Sequence, residues 1–316
     1  MSPEFALINK YFNLHKTKAY KGIGDDAALI KKDSNHLWAV STDMLNEKTH
    51  FLPNTDPFNL GWKALAVNIS DIYAMGGAPR FALLAIALPK IKENWMKEFS
   101  NGLFSCAKKY RVELIGGDTS KGPLSISICI IGEVLKKNTL LRSNAKKDDD
   151  IWVTGELGNA ALGLAKLQNK IQLPQNLSKK AIGALEKPML HSSIIQSMAR
   201  LSHSAIDISD GLIADLTHIL EASKLGANIT LKNIPMNPWI KKNKLFDIGL
   251  SGGDDYQLLF TAPKKNRDRI TLVSKMPSIK LSRIGSIKKD KGLSIIDHKG
   301  MVYKLKKRGY DHFETK

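Results

Sequence analysis

Cysteine is scarce in this 316-residue chain: there are two, Cys106 and Cys129, each inside an apolar stretch. That argues against a disulfide framework and against a cysteine metal site, and it suits a reducing cytoplasm. No apolar run reaches the roughly 18 residues of a membrane span, so none is expected. The opening stretch MSPEFALINKYF lacks the basic-then-apolar order of a signal peptide. Acidic residues are in deficit, 30 against 48 basic, giving a formal charge of +18. A basic chain can bind nucleic acid. Here, however, lysine pairs are spread from 31–32 to 306–307, with no arginine-rich tract and no nucleic-acid motif. They read as a solvated surface that also attracts phosphorylated substrates. There is no G-x-x-x-x-G-K-[ST] loop, no H-R-D or D-F-G and no H-E-x-x-H, which sets aside P-loop enzymes, protein kinases and zinc proteases of that type.

What is present is a 43% hydrophobic chain, long enough for one large domain or two ordinary ones. Strand-like and helix-like segments alternate. Residues 36–45 read as a strand running into a polar turn. Residues 56–77 read as a helix, with Asp56 as cap, Pro57 in the first turn and a glycine stop. Phe58, Trp62, Leu65, Ile69 and Ile72 repeat at helical spacing and should face the core, with Asn68 and Asp71 on another face. Residues 80–89 read as a buried strand. An amphipathic helix carrying Trp95, Phe99, Leu103, Cys106 and Tyr110 follows. Then VELIGGDTS (112–120) reads as a strand entering a glycine turn, and 124–134 as another strand. Around 136–150 the pattern turns polar, which places a boundary between domains 1–140 and 141–316. The second half starts again with strand, glycine turn and helix at 151–167 and 204–220, then a glycine turn and strand at 252–262. A hairpin is expected at His298–Gly300. The fold class is mixed α and β, in two domains.

Aspartates recur where apolar strands meet tight turns: Asp25, Asp26, Asp43, Asp118, Asp207, Asp210, Asp254 and Asp255, with Asp71 on its helix. Open α/β folds present ligands at such positions. Carboxylates converging on one cleft repel unless cations sit between them, and Mg²⁺ is shared between carboxylates and substrate phosphates. Asp26 is therefore read as a Mg²⁺ ligand and Asp25 as a turn or structural residue. Ser41, Thr42 and Ser209 are candidate extra ligands or phosphate donors.

The order of motifs, GIGDDAA, STDML, KALAVNISDIYAMGG, LIGGDTS, LRSNAKKDD, VTGELG, AIDISDGL, SGGDDYQLLF and the terminal GYDHF, resembles the thiamine-monophosphate kinase family over nearly the whole chain. That family sits in a superfamily with aminoimidazole ribonucleotide synthetase, selenophosphate synthetase and the hydrogenase-maturation carbamoyl dehydratase. The resemblance implies two α/β domains of the aminoimidazole-ribonucleotide-synthetase-like fold. It also implies a homodimer through a barrel-like interface of the N-terminal domain, with no nucleic-acid or membrane partner. The implied reaction converts ATP and thiamine monophosphate to ADP and thiamine diphosphate. Transfer is direct and in line, by positioning and several Mg²⁺ ions rather than by a catalytic side chain. By the same resemblance, Asp26, Ser41, Thr42, Asp43, Asp71, Asp118, Asp207 and Asp210 hold metal. Gly117, Asp118, Arg142, Ser209 and Tyr110 contact nucleotide, and His50, Asp254 and Phe313 contact the thiamine substrate. The family usually has glutamate where this chain has Asp254. If that carboxylate touches the aminopyrimidine, the shorter side chain reaches it at longer distance or through water.

Three rivals remain open. A sister ligase acting through an acyl phosphate needs a different acceptor pocket. A regulatory nucleotide-binding protein would be expected to lose some carboxylates, and none is lost here. A nucleic-acid module predicts binding that falls steeply with salt.

Overall fold

The computed structural model describes residues 3–13, 17–274, 279–297, 299–305 and 309–310. After a short helix, α1 (Pro3–Tyr11), the first half builds a five-stranded sheet. Its strands are β1 (Ala28–Lys31), β2 (His36–Asn46), β3 (Ala78–Leu88), β4 (Glu113–Lys121) and β5 (Ser125–Leu135), in the order β1-β2-β5-β3-β4. All neighbours are antiparallel except β3 and β4. Helices α2 (Pro57–Ala74) and α3 (Glu93–Tyr110) pack on one another, and α2 also packs on the sheet.

The expected ends of α2 are present. The Asp56 side chain accepts the Asn59 amide, and Pro57 stands in the first turn. Trp62, Leu65, Ile69 and Ile72 are buried as predicted, but so are Lys63 and Asn68 on the other side. A core stripe with water opposite is therefore only half of this helix's surroundings. Lys63 is covered by the second half of the chain, where it meets Asp254, whereas Asn68 is buried against β2 and accepts the Asp43 amide.

Two readings of the first sheet change. Gly116 and Gly117 form no turn but lie inside β4, paired in parallel with Leu83 and Leu84. A Cβ on Gly117 would come within 1.8 Å of the Leu84 carbonyl oxygen, so the pairing itself requires glycine. β3, apolar except for Arg80, is buried only at Pro79, Ala82, Ile86 and Leu88, and Leu83 and Ile115 stand exposed on the sheet's uncovered face.

The second half builds a six-stranded sheet from β6 (Asp150–Thr154), β7 (Ser204–Ile208), β8 (Gly226–Thr230), β9 (Gln257–Ala262), β10 (Leu281–Lys288) and β11 (Gly292–Ile296). The order is β11-β8-β10-β6-β9-β7, with only β11 and β8 parallel. Its helices are α4 (Asn159–Leu167), α5 (Gln175–Glu186), α6 (Ile195–Leu201), α7 (Leu212–Ser223), α8 (Pro238–Lys242), α9 (Phe246–Ser251) and α10 (Arg267–Ser274). The expected tail turn is present, with Ile296 bridging Val302 and the Gly300 amide donating to Asp297; His298 lies outside the described residues. No helix among the described residues is long and apolar enough to cross a membrane.

The two halves share buried apolar side chains. Trp152, Ile194, Met198 and Phe260 belong to the same cluster as α2, α3 and the first sheet. α2 also touches β7, and this contact positions the site.

Candidate active site

Alternation along β2 sends Ser41 and Asp43 to one face and Thr42 to the other. The Ser41 hydroxyl donates to Asp71 Oδ2 at 2.6 Å, and the Asp43 amide donates to Asn68 Oδ1 at 3.0 Å. Asn68 and Asp71 are three residues apart on α2, so they share the face turned to this strand. Thr42 is exposed and its hydroxyl donates to the Ile128 carbonyl at 3.1 Å, away from the acids.

Asp207, near the end of β7, arrives from the second half. Carboxylate oxygens of Asp26, Asp71 and Asp207 lie within 4.8 Å of one another. The adjacent pair Asp25–Asp26 divides its work. Asp25 accepts the Arg142 amide at 2.7 Å and pairs with Lys21 at 2.9 Å, fixing the turn. Asp26 enters the cluster, where the Arg142 guanidinium donates to its Oδ1 at 2.7 Å.

One guanidinium does not neutralise this much buried charge. Burial, then repulsion from Asp26, pushes the Asp43 carboxyl up to about 6. The same two causes push Asp207 up to about 8. Burial, with Asp43, Asp207 and Asp26 nearby, holds Asp71 well above the usual range. Asp26 is raised by burial although Arg142 pulls it back. A set of oxygen donors short of positive charge, with Asp26 and Asp207 buried and Asp43 and Asp71 half-buried, is the donor set that Mg²⁺ takes.

Ser209 and Asp210 form the turn from β7 into α7. Two residues here escaped the sequence reading. Asp215, fully buried, accepts the Asp210 and Gly211 amides at 3.2 and 3.1 Å and satisfies the start of α7. His218 lies one turn further along, stacked on Phe5 of α1 at 4.3 Å, and burial pushes its imidazole down to about 4. The acid four residues past the D-G turn was the available signal for Asp215, since first-turn acids suit helix starts. Asp255 stood among the turn aspartates of the sequence but was given no role. It accepts the Gly158 amide at 2.7 Å at the start of α4, and burial pushes it up to about 7.

A cleft of about 950 Å³ runs from Asp71, Asp207 and Asp210 to His50 and Asp254. His50 Nδ1 accepts the Asn46 amide at 2.9 Å, so the neutral ring carries its proton on Nε2. Asp254 has φ 66° and Tyr256 φ 47°, left-handed conformations uncommon for residues with a Cβ. Hydrogen bonds from the Asp254 amide to Ser209 O and from the Tyr256 amide to Ile208 O, both 2.8 Å, hold them. Behind Asp254 stands Lys63, its Nζ 3.0 Å from Oδ1.

Other predicted residues are not gathered. Gly117 and Asp118 lie exposed on β4, at the edge of the first sheet. Tyr110 is buried at the end of α3, edge-on to Trp62 and Tyr73, and its hydroxyl accepts the Leu190 amide at 2.9 Å. Within this chain it is a core residue and does not reach the cleft. Phe313 lies outside the described residues.

The family models for AIR synthase related proteins match this chain twice, the N-terminal domain over residues 24–134 and the C-terminal domain over 146–298. The fold and the acid cluster therefore define a two-domain AIR-synthase-related protein. Thiamine-monophosphate kinase of Buchnera aphidicola subsp. Schizaphis graminum is 43% identical, over 98% of each chain. The crystal structure of thiamine-monophosphate kinase from Stenotrophomonas maltophilia K279a has a TM-score of 0.79 at 36% identity, covering 96% of this chain and 99% of that one. The AaThiL complex with AMPPCP and TMP has a TM-score of 0.84 at 29% identity, covering 98% and 96%. The chain belongs to the thiamine-monophosphate kinase family.

Proposed function

We propose that the chain transfers the γ-phosphoryl group of ATP to thiamine monophosphate, giving thiamine diphosphate and ADP. The supporting observation is the cleft itself, with clustered carboxylates at one end and His50 with Asp254 at the other. The attacking atom is a phosphate oxygen of the acceptor. A phosphate monoester is already mostly ionised at neutral pH, its second pKa being about 6. No side chain need remove a proton from it. One phosphorus–oxygen bond to the γ-phosphorus forms as the bond to the ADP oxygen breaks, and total charge is conserved.

Asp26, Asp43, Asp71, Asp207 and Asp210 are the residues that would hold Mg²⁺, with Ser41 orienting Asp71. Mg²⁺ there supplies neutralisation of the phosphates and of the charge developing in transfer. Arg142, 12% exposed in its side chain, stands beside Asp26 with a fork that also suits phosphate. Ser209 lines the cleft next to Asp210. His50 and Asp254 orient the thiamine end. Gly117 and Asp118, on an exposed edge strand beside an uncovered apolar face, support a homodimer formed through the first sheet. Two unpaired cysteines support a cytoplasmic setting.

The test is a product assay with ATP, Mg²⁺ and thiamine monophosphate, with free thiamine in a parallel reaction. Thiamine diphosphate and ADP in equal amounts, from the monophosphate only and with Mg²⁺ only, is the expected result. ADP without thiamine diphosphate would reassign the acceptor and make the chain a sister enzyme.

A further inference from the structure

The motif KALAVNISD begins with a lysine that the metal and nucleotide roles leave unused. Lys63 sits in the middle of α2 and is 2% exposed. Burying an ammonium group costs several kcal/mol, roughly, unless a charge and hydrogen bonds compensate. Its Nζ lies 3.0 Å from Asp254 Oδ1 and donates to the His50 carbonyl at 3.4 Å. Both residues assigned to the acceptor end of the cleft therefore meet on one buried cation, although they come from opposite halves of the chain.

The carboxylate of Asp254 is used asymmetrically. Oδ1 takes Lys63 and also accepts the Tyr256 hydroxyl at 3.0 Å. Oδ2 accepts no hydrogen bond from the described residues. The Asp254 side chain is 30% exposed and lines the cleft, whereas Lys63 lies behind it. The left-handed backbone at Asp254 and Tyr256 is held by the two amide bonds to Ser209 and Ile208, so the loop spends conformational strain on this presentation.

We propose that Lys63 is a positioning residue of the acceptor site: with the Tyr256 hydroxyl it saturates Asp254 Oδ1 and fixes the orientation of the carboxylate, so that Oδ2 faces the cleft as an acceptor. This rests on the reading of Asp254 as an acceptor-site residue. The chemical consequence is selectivity for a ring that offers an N–H donor at that point. An exocyclic amino group donates to Oδ2, whereas a carbonyl oxygen in its place would set one acceptor oxygen against another.

The experiment compares wild type, Lys63→Met, Lys63→Arg, Asp254→Asn and the double variant Lys63→Met/Asp254→Asn, all as full chains. Calorimetry measures binding of thiamine monophosphate and of the analogue with the ring amino group replaced by a carbonyl oxygen. Steady-state assays give KM for each co-substrate. A hydrogen bond to a charged group is worth about 1.5–3 kcal/mol, so Lys63→Met should reduce discrimination between the two ligands by roughly ten- to a hundredfold. KM for thiamine monophosphate should rise with it, while KM for ATP stays within about twofold. Lys63→Arg should recover part of the discrimination. The double variant should match Asp254→Asn alone, because the lysine acts through that carboxylate.

Unchanged discrimination in Lys63→Met overturns the proposal. So do additive effects in the double variant, or an equal rise in both KM values. If Lys63→Met does not fold, the double variant, which buries no unpaired carboxylate, decides between matching and additive behaviour. Wild-type protein that binds thiamine monophosphate without turning it over refutes the kinase reading, and the binding measurements still judge Lys63.

Discussion

Single residues divide into those whose type announced their role and those whose neighbours define it. Asp71 and Asp210 belong to the first group, acids at the ends of apolar patterns that reappear lining one cleft. Replacing either with asparagine keeps the shape and removes a charge that a cation needs. Asp71→Asn and Asp210→Asn should each lower turnover about a hundredfold or more, with an unchanged circular dichroism spectrum. A rate near wild type would remove them from the metal set. Arg142 belongs to the second group. The family resemblance placed it on the nucleotide, and nothing local indicated a carboxylate partner 116 residues earlier. Arg142→Ala should raise KM for ATP about tenfold and leave Asp26 buried without its cation; steady-state kinetics with ATP varied will show whether it does. Lys63 was invisible for the same reason, since a helix-borne lysine looks solvated until the other half of the chain covers it.

Elements were more legible than their surroundings. Capping and periodicity located α2 almost to the residue, because Asp56, Pro57 and the apolar repeat are local signals. The β4 glycines were misread because a Gly-Gly pair fits a turn as well as it fits a strand whose neighbour comes too close for a side chain. What covers each face depends on contacts between distant segments, and sequence spacing does not carry that. The packing of α2 on α3 shows this again. A Cβ on Gly61 would lie 2.0 Å from Phe99 O, and one on Gly102 would lie 1.8 Å from Phe58 O. Glycines inside helices read as liabilities of about 1 kcal/mol each, yet here they set how closely the two helices approach. Gly102→Ala should destabilise the chain by about 1–3 kcal/mol through overpacking, read as a lower urea midpoint with an unchanged slope.

At the scale of the whole molecule, the acid cluster ties stability to pH. In the metal-free chain the folded Asp43 and Asp207 titrate at about 6 and about 8, both above the unfolded value near 4. The folded state therefore binds these protons more tightly than the unfolded state does. Their favourable contribution is complete below the unfolded value and is lost as pH rises toward 8. Without metal, these groups make the protein less stable at pH 8 than at pH 6, by on the order of 2 kcal/mol. If this set holds Mg²⁺ as proposed, the ion binds the deprotonated form, and its stabilisation should be larger at pH 8 than at pH 6. Calorimetric melting at both pH values, with and without Mg²⁺, should show that widening gap; equal gaps would dissociate the cluster from the metal. The shared apolar cluster has a further consequence, for traffic. Trp152, Ile194, Met198 and Phe260 are sealed against side chains of the first half. Swinging the halves apart like jaws would wet that seam. Two substrates and two products must therefore enter and leave through the mouth of a cleft whose walls stay together, and the order in which they pass it becomes part of how fast the chain can work.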